Sequence, residues 1–137
     1  MMLKEAQSYL LESSNPSVVN VGSIAGVTGI GSSIAYASSK GALLNMTKSL
    51  ARALGPIRVN AICPGFIQGD WLRNGLGDEV YEMVKEATEK STPLKLTVTA
   101  DQVADSIIYF VEDAVTTTGE TLLLDGGMHL GGPVPLK

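Results

Sequence analysis

The residues of this sequence whose types and spacing best suit acid–base chemistry are Tyr36 and Lys40. On a helix, residues four positions apart project from one face, close enough for the ammonium to favour the phenolate. A phenol that loses and regains its proton can act as a general acid or base. Ser23 lies thirteen positions before Tyr36, and its hydroxyl can hydrogen-bond a substrate oxygen. Together these residues predict proton transfer to or from an oxygen.

A second tyrosine–lysine pair has the same spacing. Tyr81 and Lys85 also lie four positions apart, but the residue thirteen positions before Tyr81 is Gln68. A spacing that occurs twice in one chain says little by itself. We interpret Tyr81 and Lys85 as exposed residues of a surface helix.

Other residues of chemical interest have plainer explanations. Cys63 lies in an apolar run beside Pro64, which predicts a buried thiol rather than a nucleophile. His129 is predicted to be a surface or interface residue rather than a base. Trp71 and Leu72 are equally compatible with substrate contact and with an apolar hinge. No set of metal ligands is predicted.

The elements that must position Ser23, Tyr36 and Lys40 are strands alternating with helices. Three segments are typical of buried strands: residues 17–23, 57–63 and 121–124. Residues 34–54 are predicted to form a long helix rich in Ala and Leu, ended by a Gly–Pro pair. Residues 22–33, rich in Gly and Ser, are predicted to be a loop.

Shorter helices are predicted on both sides of this central part. Residues 3–11 look like the end of a helix, and Thr99 with Gln102 forms a capping box before another. A loop containing Trp71 precedes a helix that Asp78 can cap. That helix is predicted to be amphipathic, with its apolar residues on one face: Val80, Met83, Val84 and Ala87.

This alternation predicts an α/β fold, a partial doubly wound parallel sheet of three strands with flanking helices, in one domain over residues 1–137. Active sites of such sheets lie at the carboxyl ends of the strands. The loops at Ser23, Pro64 and Gly126 are therefore expected to converge.

Several motifs of the sequence resemble those of a known family. They are Ser23, Tyr-Ala-Ser-Ser-Lys at 36–40, Arg-Val-Asn-Ala-Ile-Cys-Pro-Gly at 58–65, and Leu-Asp-Gly-Gly at 124–127. Their order and spacing resemble the carboxyl-terminal, catalytic half of the short-chain dehydrogenase/reductase family, whose fold is Rossmann-like.

The resemblance implies NAD(P)-dependent hydride transfer between a carbonyl and an alcohol of a small molecule. Tyr36 would be the general acid or base, Lys40 would favour its deprotonated form and bond the nicotinamide ribose, and Ser23 would hold the substrate oxygen. The segment of about 66–98 would shape the substrate site. The cofactor, NAD or NADP, would be held by Tyr36 and Lys40 and by the loop residues Pro64, Gly65, Phe66 and Ile67.

The same resemblance suggests that the dinucleotide-binding half of the family is missing. We expect the glycine-rich phosphate loop to precede residue 1, since Gly29-Ile-Gly31 is followed by Ile34 in place of a third glycine. The family's relay Asn is also expected upstream, and Gly69 stands where a Thr is common. The strand 17–23 would then expose an apolar edge, which we expect a partner chain, another fragment or a rearranged segment to cover. The helix 34–54 is expected to form a homo-oligomer.

Composition limits the alternatives. The chain has 137 residues, 45% hydrophobic and 18% charged, with a net charge of −4. Residues 13–69 contain no acidic residue and carry +4, so an anionic ligand would favour this stretch unless Lys48 and Arg52 are simply a solvated helix face. No targeting or membrane segment is visible, so a cytoplasmic location with no membrane or nucleic-acid partner is expected.

Three functions remain open from the sequence. The first is an oxidoreductase of the short-chain type. The second is a non-catalytic fragment acting only as an oligomerisation or interaction module, and the third is epimerisation or dehydration by the same Tyr–Lys pair. Whether the chain alone is an enzyme, and whether it uses NAD or NADP, stays open.

Overall fold

The computed structural model describes residues 2–131, which build an open sheet of three parallel strands with flanking helices. The strands are β1 (Ser17–Val21), β2 (Arg58–Pro64) and β3 (Thr121–Leu124), in the order β1-β2-β3. Val19 pairs with Asn60, and Cys63 with Leu123. The α/β class and the three predicted strands are confirmed, with small differences at their ends.

Six helices surround these strands in the described part of the chain. They are α1 (Met2–Leu11), α2 (Ala25–Thr28), α3 (Ile34–Ala53), α4 (Asp70–Leu76), α5 (Asp78–Ser91) and α6 (Ala100–Glu112), with a 3-10 turn at Met128–Leu130. The predicted long helix is α3. At α6 the Thr99 hydroxyl accepts from the Gln102 N–H, and the Gln102 side chain accepts from the Thr99 N–H, which confirms the capping box.

Two segments predicted as loops contain short helices. Residues 22–33 include α2, which begins where the Ser23 hydroxyl accepts a hydrogen bond from the Ala25 N–H. Side-chain turns of this kind are hard to recognise in a segment rich in Gly and Ser. The loop containing Trp71 is largely α4, whose last turn ends at Gly77 with φ 79°.

The predicted Asp78 cap of α5 is wrong, and the predicted apolar face is not the side of the helix that is most buried. Gly77 precedes the helix, and no side chain makes a capping hydrogen bond there. Val80 and Met83 are 41% and 61% exposed, whereas Tyr81 is only 3% exposed. The helix turns a different stripe towards the protein, because the aromatic ring buries more apolar surface than either aliphatic side chain.

The centre of the fold is β2, all of whose residues are buried. Ile62 packs in a cluster with Val103 and Phe110 of α6. Neighbouring side chains of a strand point to opposite faces, so Cys63 points to the other side, towards Leu44 of α3. A strand covered on both faces in this way is typical of a parallel sheet.

A buried arginine anchors the amino end of β2. The Arg58 guanidinium is 2.6 Å from Phe110 O and 2.9 Å from Val111 O, in the last turn of α6, and 2.9 Å from Ala114 O just after the helix. It also donates to Asn15 Oδ1 at 2.9 Å. The last carbonyls of a helix lack partners within the helix and carry partial negative charge, so a buried cation stabilises this end of α6.

Strand β1 forms one edge of the sheet in the described residues. It pairs only with β2, and Val21 at its end is 46% exposed. The Asn20 side chain donates to the Thr47 hydroxyl at 2.9 Å, which ties the strand to α3. The partner that we expect over this edge stays a prediction, as does the homo-oligomer through residues 34–54. No helix of residues 2–131 is long and apolar enough to cross a membrane.

Candidate active site

The carboxyl ends of the three strands meet at one edge of the sheet. After β1, the Ile24 N–H donates to Pro64 O at 3.0 Å. After β2, the Gly65 N–H donates to Leu124 O at 2.8 Å. The loops that follow β1, β2 and β3 are therefore adjacent, as the alternation of strands and helices predicted.

Ser23 lies directly after β1, at the start of α2. Ser23 is 9% exposed. Its hydroxyl oxygen lies 3.2 Å from the backbone nitrogen of Ala25 and accepts a hydrogen bond from that N–H. A hydroxyl also carries one hydrogen that it can donate. Ser23 is thus held by the turn while its O–H remains able to donate to another oxygen.

Tyr36 and Lys40 occupy the first turns of α3. Ser33 fixes the start of this helix, because its hydroxyl accepts the Tyr36 N–H at 3.1 Å. The Lys40 ammonium donates to Val21 O at 3.0 Å and lies 5.8 Å from the centre of the Tyr36 ring. The structure therefore places the ammonium between the ring and the strand end that leads into Ser23. The Tyr36 residue is 38% exposed.

The loop Pro64, Gly65, Phe66 and Ile67 continues β2 past its last sheet pairing. Ile67 forms a parallel bridge with Val98, in which Gln68 N donates to Val98 O and Val98 N donates to Phe66 O. In a parallel bridge these bonds come from the neighbours of the bridged residue. The N–H and C=O of Ile67 itself consequently point away from Val98.

Tyr81 is not the exposed residue that the sequence predicted. Its ring centre lies 5.5 Å from that of Phe66, and the Arg73 guanidinium lies over the Tyr81 ring, 4.2 Å from its centre. Arg73 is ion-paired with Asp78 at 2.8 Å and Glu82 at 2.6 Å, and these hydrogen bonds raise its pKa above the ordinary value. Tyr81 therefore joins α4 and α5 to the loop after β2.

The other member of that pair, Lys85, has a modest ion pair with Glu89 at 3.9 Å. Its side chain is 28% exposed, so it is partly covered rather than fully solvated. Trp71, by contrast, is 87% exposed on α4. An indole left this open is available for contact with a substrate or another apolar group.

Cys63 is fully buried, as predicted. Burial raises the pKa of its thiol, which keeps it protonated and unreactive. At the end of β3, His129 Nδ1 lies 2.8 Å from the carboxylate of Asp125, whose side chain is 2% exposed. This pairing was not predicted from the sequence, although an acidic residue four positions before the histidine was visible there. Residues 2–131 contain no cluster of three side chains suited to a metal ion.

Residues 1–129 match the family model described as enoyl-(acyl carrier protein) reductase. The chain is also 38% identical to the short-chain dehydrogenase/reductase homolog YusR of Bacillus subtilis, over 89% of this chain and 90% of that protein. The chain belongs to the short-chain dehydrogenase/reductase family.

Other members of this family are longer than the chain. A protein of Streptomyces violaceoruber, named for ketoacyl reduction in the granaticin polyketide synthase, is 43% identical over 91% of this chain and 49% of its own length. The crystal structure of a small-chain dehydrogenase in complex with NADPH superposes with a TM-score of 0.85 at 25% identity, covering 94% of this chain and 57% of that one. The chain thus spans about half the length of the first relatives it matches.

Proposed function

We propose that this chain contributes the proton-transfer site of an NAD(P)-dependent oxidoreductase that interconverts a carbonyl and an alcohol. One observation carries the proposal. Tyr36 and Lys40 share a face of α3, and the Lys40 ammonium is bound 3.0 Å from Val21 O, two residues before Ser23. This arrangement supports an acid, a cation and a hydroxyl donor that act together at the carboxyl end of β1.

The chemistry in the direction of reduction follows from these three groups. The Tyr36 O–H gives its proton to the carbonyl oxygen as a hydride reaches the carbonyl carbon, and the product is an alcohol. The Ser23 hydroxyl donates to the same oxygen and stabilises the negative charge that develops on it. In the direction of oxidation the phenolate of Tyr36 takes the proton back.

Lys40 can stabilise the Tyr36 phenolate while its ammonium stays hydrogen-bonded to β1. An ammonium carries three N–H donors, and Val21 O occupies one of them. Two donors remain for a ribose hydroxyl and for stabilising the phenolate of Tyr36. The cation is therefore in a position to act on both, while the strand carbonyl holds its place.

The loop after β2 suits the nicotinamide end of the cofactor. Ile67 directs its N–H and C=O away from its bridge with Val98, and a carboxamide needs one acceptor and one donor of this kind. Pro64, Gly65 and Phe66 would form the rest of the contact surface. A bound nicotinamide would supply or accept the hydride. NADPH is the ligand of one solved relative, and the choice between NAD and NADP stays open here.

For the substrate we propose a small carbonyl or alcohol compound that contacts the segment 66–98. The name of the Streptomyces relative points to ketoacyl groups as one class to test. Trp71, 87% exposed on α4, is the apolar side chain of this segment best suited to cover such a compound.

A non-catalytic interaction module is the second candidate. It is favoured by the edge of β1, which pairs with no second strand among residues 2–131, and by apolar side chains on the surface, with Val21 46% and Met46 of α3 39% exposed. A second copy or a partner strand would bury these groups.

Titration of the purified chain with NADH and with NADPH separates the two candidates. Followed by calorimetry, saturable binding of either nucleotide supports the oxidoreductase. Absence of binding, together with a stable dimer in sedimentation, supports the interaction module. A panel of ketoacyl thioesters with NADPH then tests turnover by the loss of absorbance of the reduced nicotinamide.

A further inference from the structure

A glycine lies directly against the ring of Tyr36. A Cβ added at Gly31 would be 3.2 Å from Tyr36 Cδ1 and 2.8 Å from the Cβ of Ala25. Carbon atoms that are not bonded prefer a separation of about 3.5–4.0 Å. The backbone of Gly31 therefore fills the gap between α2 and the tyrosine, with no room for a side chain.

Glycine is needed here for space and not for its backbone freedom. Gly31 does not share the left-handed conformation that its neighbour Gly29 adopts at φ 75°. An alanine could take up the same backbone angles, so its methyl group would be the whole perturbation. That methyl group would press on Ala25 on one side and on Tyr36 on the other.

Of these two neighbours, only the Tyr36 ring can move by side-chain rotation. Ala25 is 3% exposed, and its Cβ has no side-chain torsion that could move it aside. The Tyr36 ring belongs to a residue that is 38% exposed, and rotation about its side-chain torsions is open to it. A side chain at position 31 would therefore displace the phenol.

We propose that Gly31 is a positioning residue whose bare backbone sets where the Tyr36 phenol lies relative to Ser23 and Lys40. The inference rests on the proposed role of Tyr36 in proton transfer. Such transfer needs the phenol oxygen within about 2.6–3.2 Å of the substrate oxygen. A misplacement of about 1 Å can lower a rate by about a hundredfold.

A second glycine gives the contrasting case. A Cβ at Gly26 would lie 2.6 Å from the carbonyl carbon of Lys40 and 2.8 Å from the N of Gly41. These are backbone atoms of α3, which cannot rotate away. Substitution at Gly26 would therefore separate α2 from α3, whereas substitution at Gly31 would act locally on the ring of Tyr36.

The test is an NMR measurement on the full chain labelled with ¹³C at the Cζ of its four tyrosines. Tyr36→Phe identifies the signal of Tyr36. Gly31→Ala should shift that signal, while the signal of the buried Tyr81 stays in place. Gly75→Ala is the matched control, because a Cβ there meets nothing within 4 Å, and it should leave the Tyr36 signal unmoved.

The signal is read without cofactor or turnover, so failure of the proposed function does not affect it. Where turnover is measurable, Gly31→Ala should lower kcat about ten- to a hundredfold and leave KM nearly unchanged. If Gly31→Ala does not fold, the double variant Ala25→Gly, Gly31→Ala removes the 2.8 Å contact and keeps the one at 3.2 Å. An unmoved Tyr36 signal in a folded variant, or an unchanged kcat, overturns the proposal.

Discussion

The two tyrosine–lysine pairs have the same spacing and opposite surroundings. Tyr36 is 38% exposed beside a glycine, and the Lys40 ammonium is held by a strand carbonyl. Tyr81 is 3% exposed against Phe66, and Lys85 is turned to a carboxylate at 3.9 Å. A phenol that exchanges protons with a substrate must be accessible to it, whereas a phenol that supports packing is best buried. The surroundings of each ring, more than the spacing, therefore distinguish the proposed proton-transfer role of Tyr36 from the packing role of Tyr81.

The largest expected effect is that of Tyr36→Phe on turnover. Removing the phenol hydroxyl takes away the proposed general acid or base, so kcat should fall by about 10²–10⁴-fold in a spectrophotometric assay. The free energy of unfolding should change by less than about 0.5 kcal/mol, because the ring remains and the site is open to solvent. An active Tyr36→Phe enzyme would refute the assigned mechanism.

Tyr81→Ala should act on stability instead. Loss of a buried aromatic ring next to Phe66 should lower the free energy of unfolding by about 3 kcal/mol, measured by urea denaturation. Tyr81→Phe keeps the ring and should cost less than about 1.5 kcal/mol. Tyr9→Ala is a control at a residue that is 74% exposed. If Tyr81→Ala were as stable as that control, Tyr81 would not have the packing role described above.

Lys40→Met should weaken binding of the reduced nucleotide. A charge-assisted hydrogen bond to the ribose would be lost, which corresponds to about a ten- to hundredfold higher Kd by calorimetry. The methionine keeps most of the length of the side chain, so the packing of α3 on β1 should persist in the circular dichroism spectrum. Unchanged nucleotide affinity would remove Lys40 from the proposed cofactor site.

The smallest effect is expected from Lys85→Met. Its ion pair with Glu89 spans 3.9 Å at a partly exposed position, and such pairs contribute about 0.5 kcal/mol or less. Neither nucleotide affinity nor turnover should change. An effect of Lys85→Met on nucleotide affinity as large as that of Lys40→Met would show that the two pairs are not functionally distinct.

Much of the scaffold could be predicted from local patterns. The valine run before Ser23 and the apolar residues of β2 and β3 each predicted a strand, because buried parallel strands are apolar on both faces. The capping box of Thr99 and Gln102 was also visible, because both of its partners lie within four residues of sequence. The meeting of the three loops then followed from the topology.

The errors came from contacts between distant segments. Tyr81 is buried because Phe66 and Arg73 surround it, and neither lies within the helix that carries it. The apolar residues of α5 allow more than one stripe, so the sequence alone could not choose between them. The contact of Gly31 with Tyr36 was invisible for a different reason, since an absent side chain leaves no pattern.

The contacts of Arg58 lie at the opposite end of β2 from the loops that follow the strands. It binds the last carbonyls of α6 and Asn15 at the amino end of β2, the end of the strand farthest from Pro64. The sheet is therefore held at one edge and carries the loops of the proposed active site at the other. A change in the loops after the strands therefore leaves in place the contacts that hold the amino end of β2 to the end of α6.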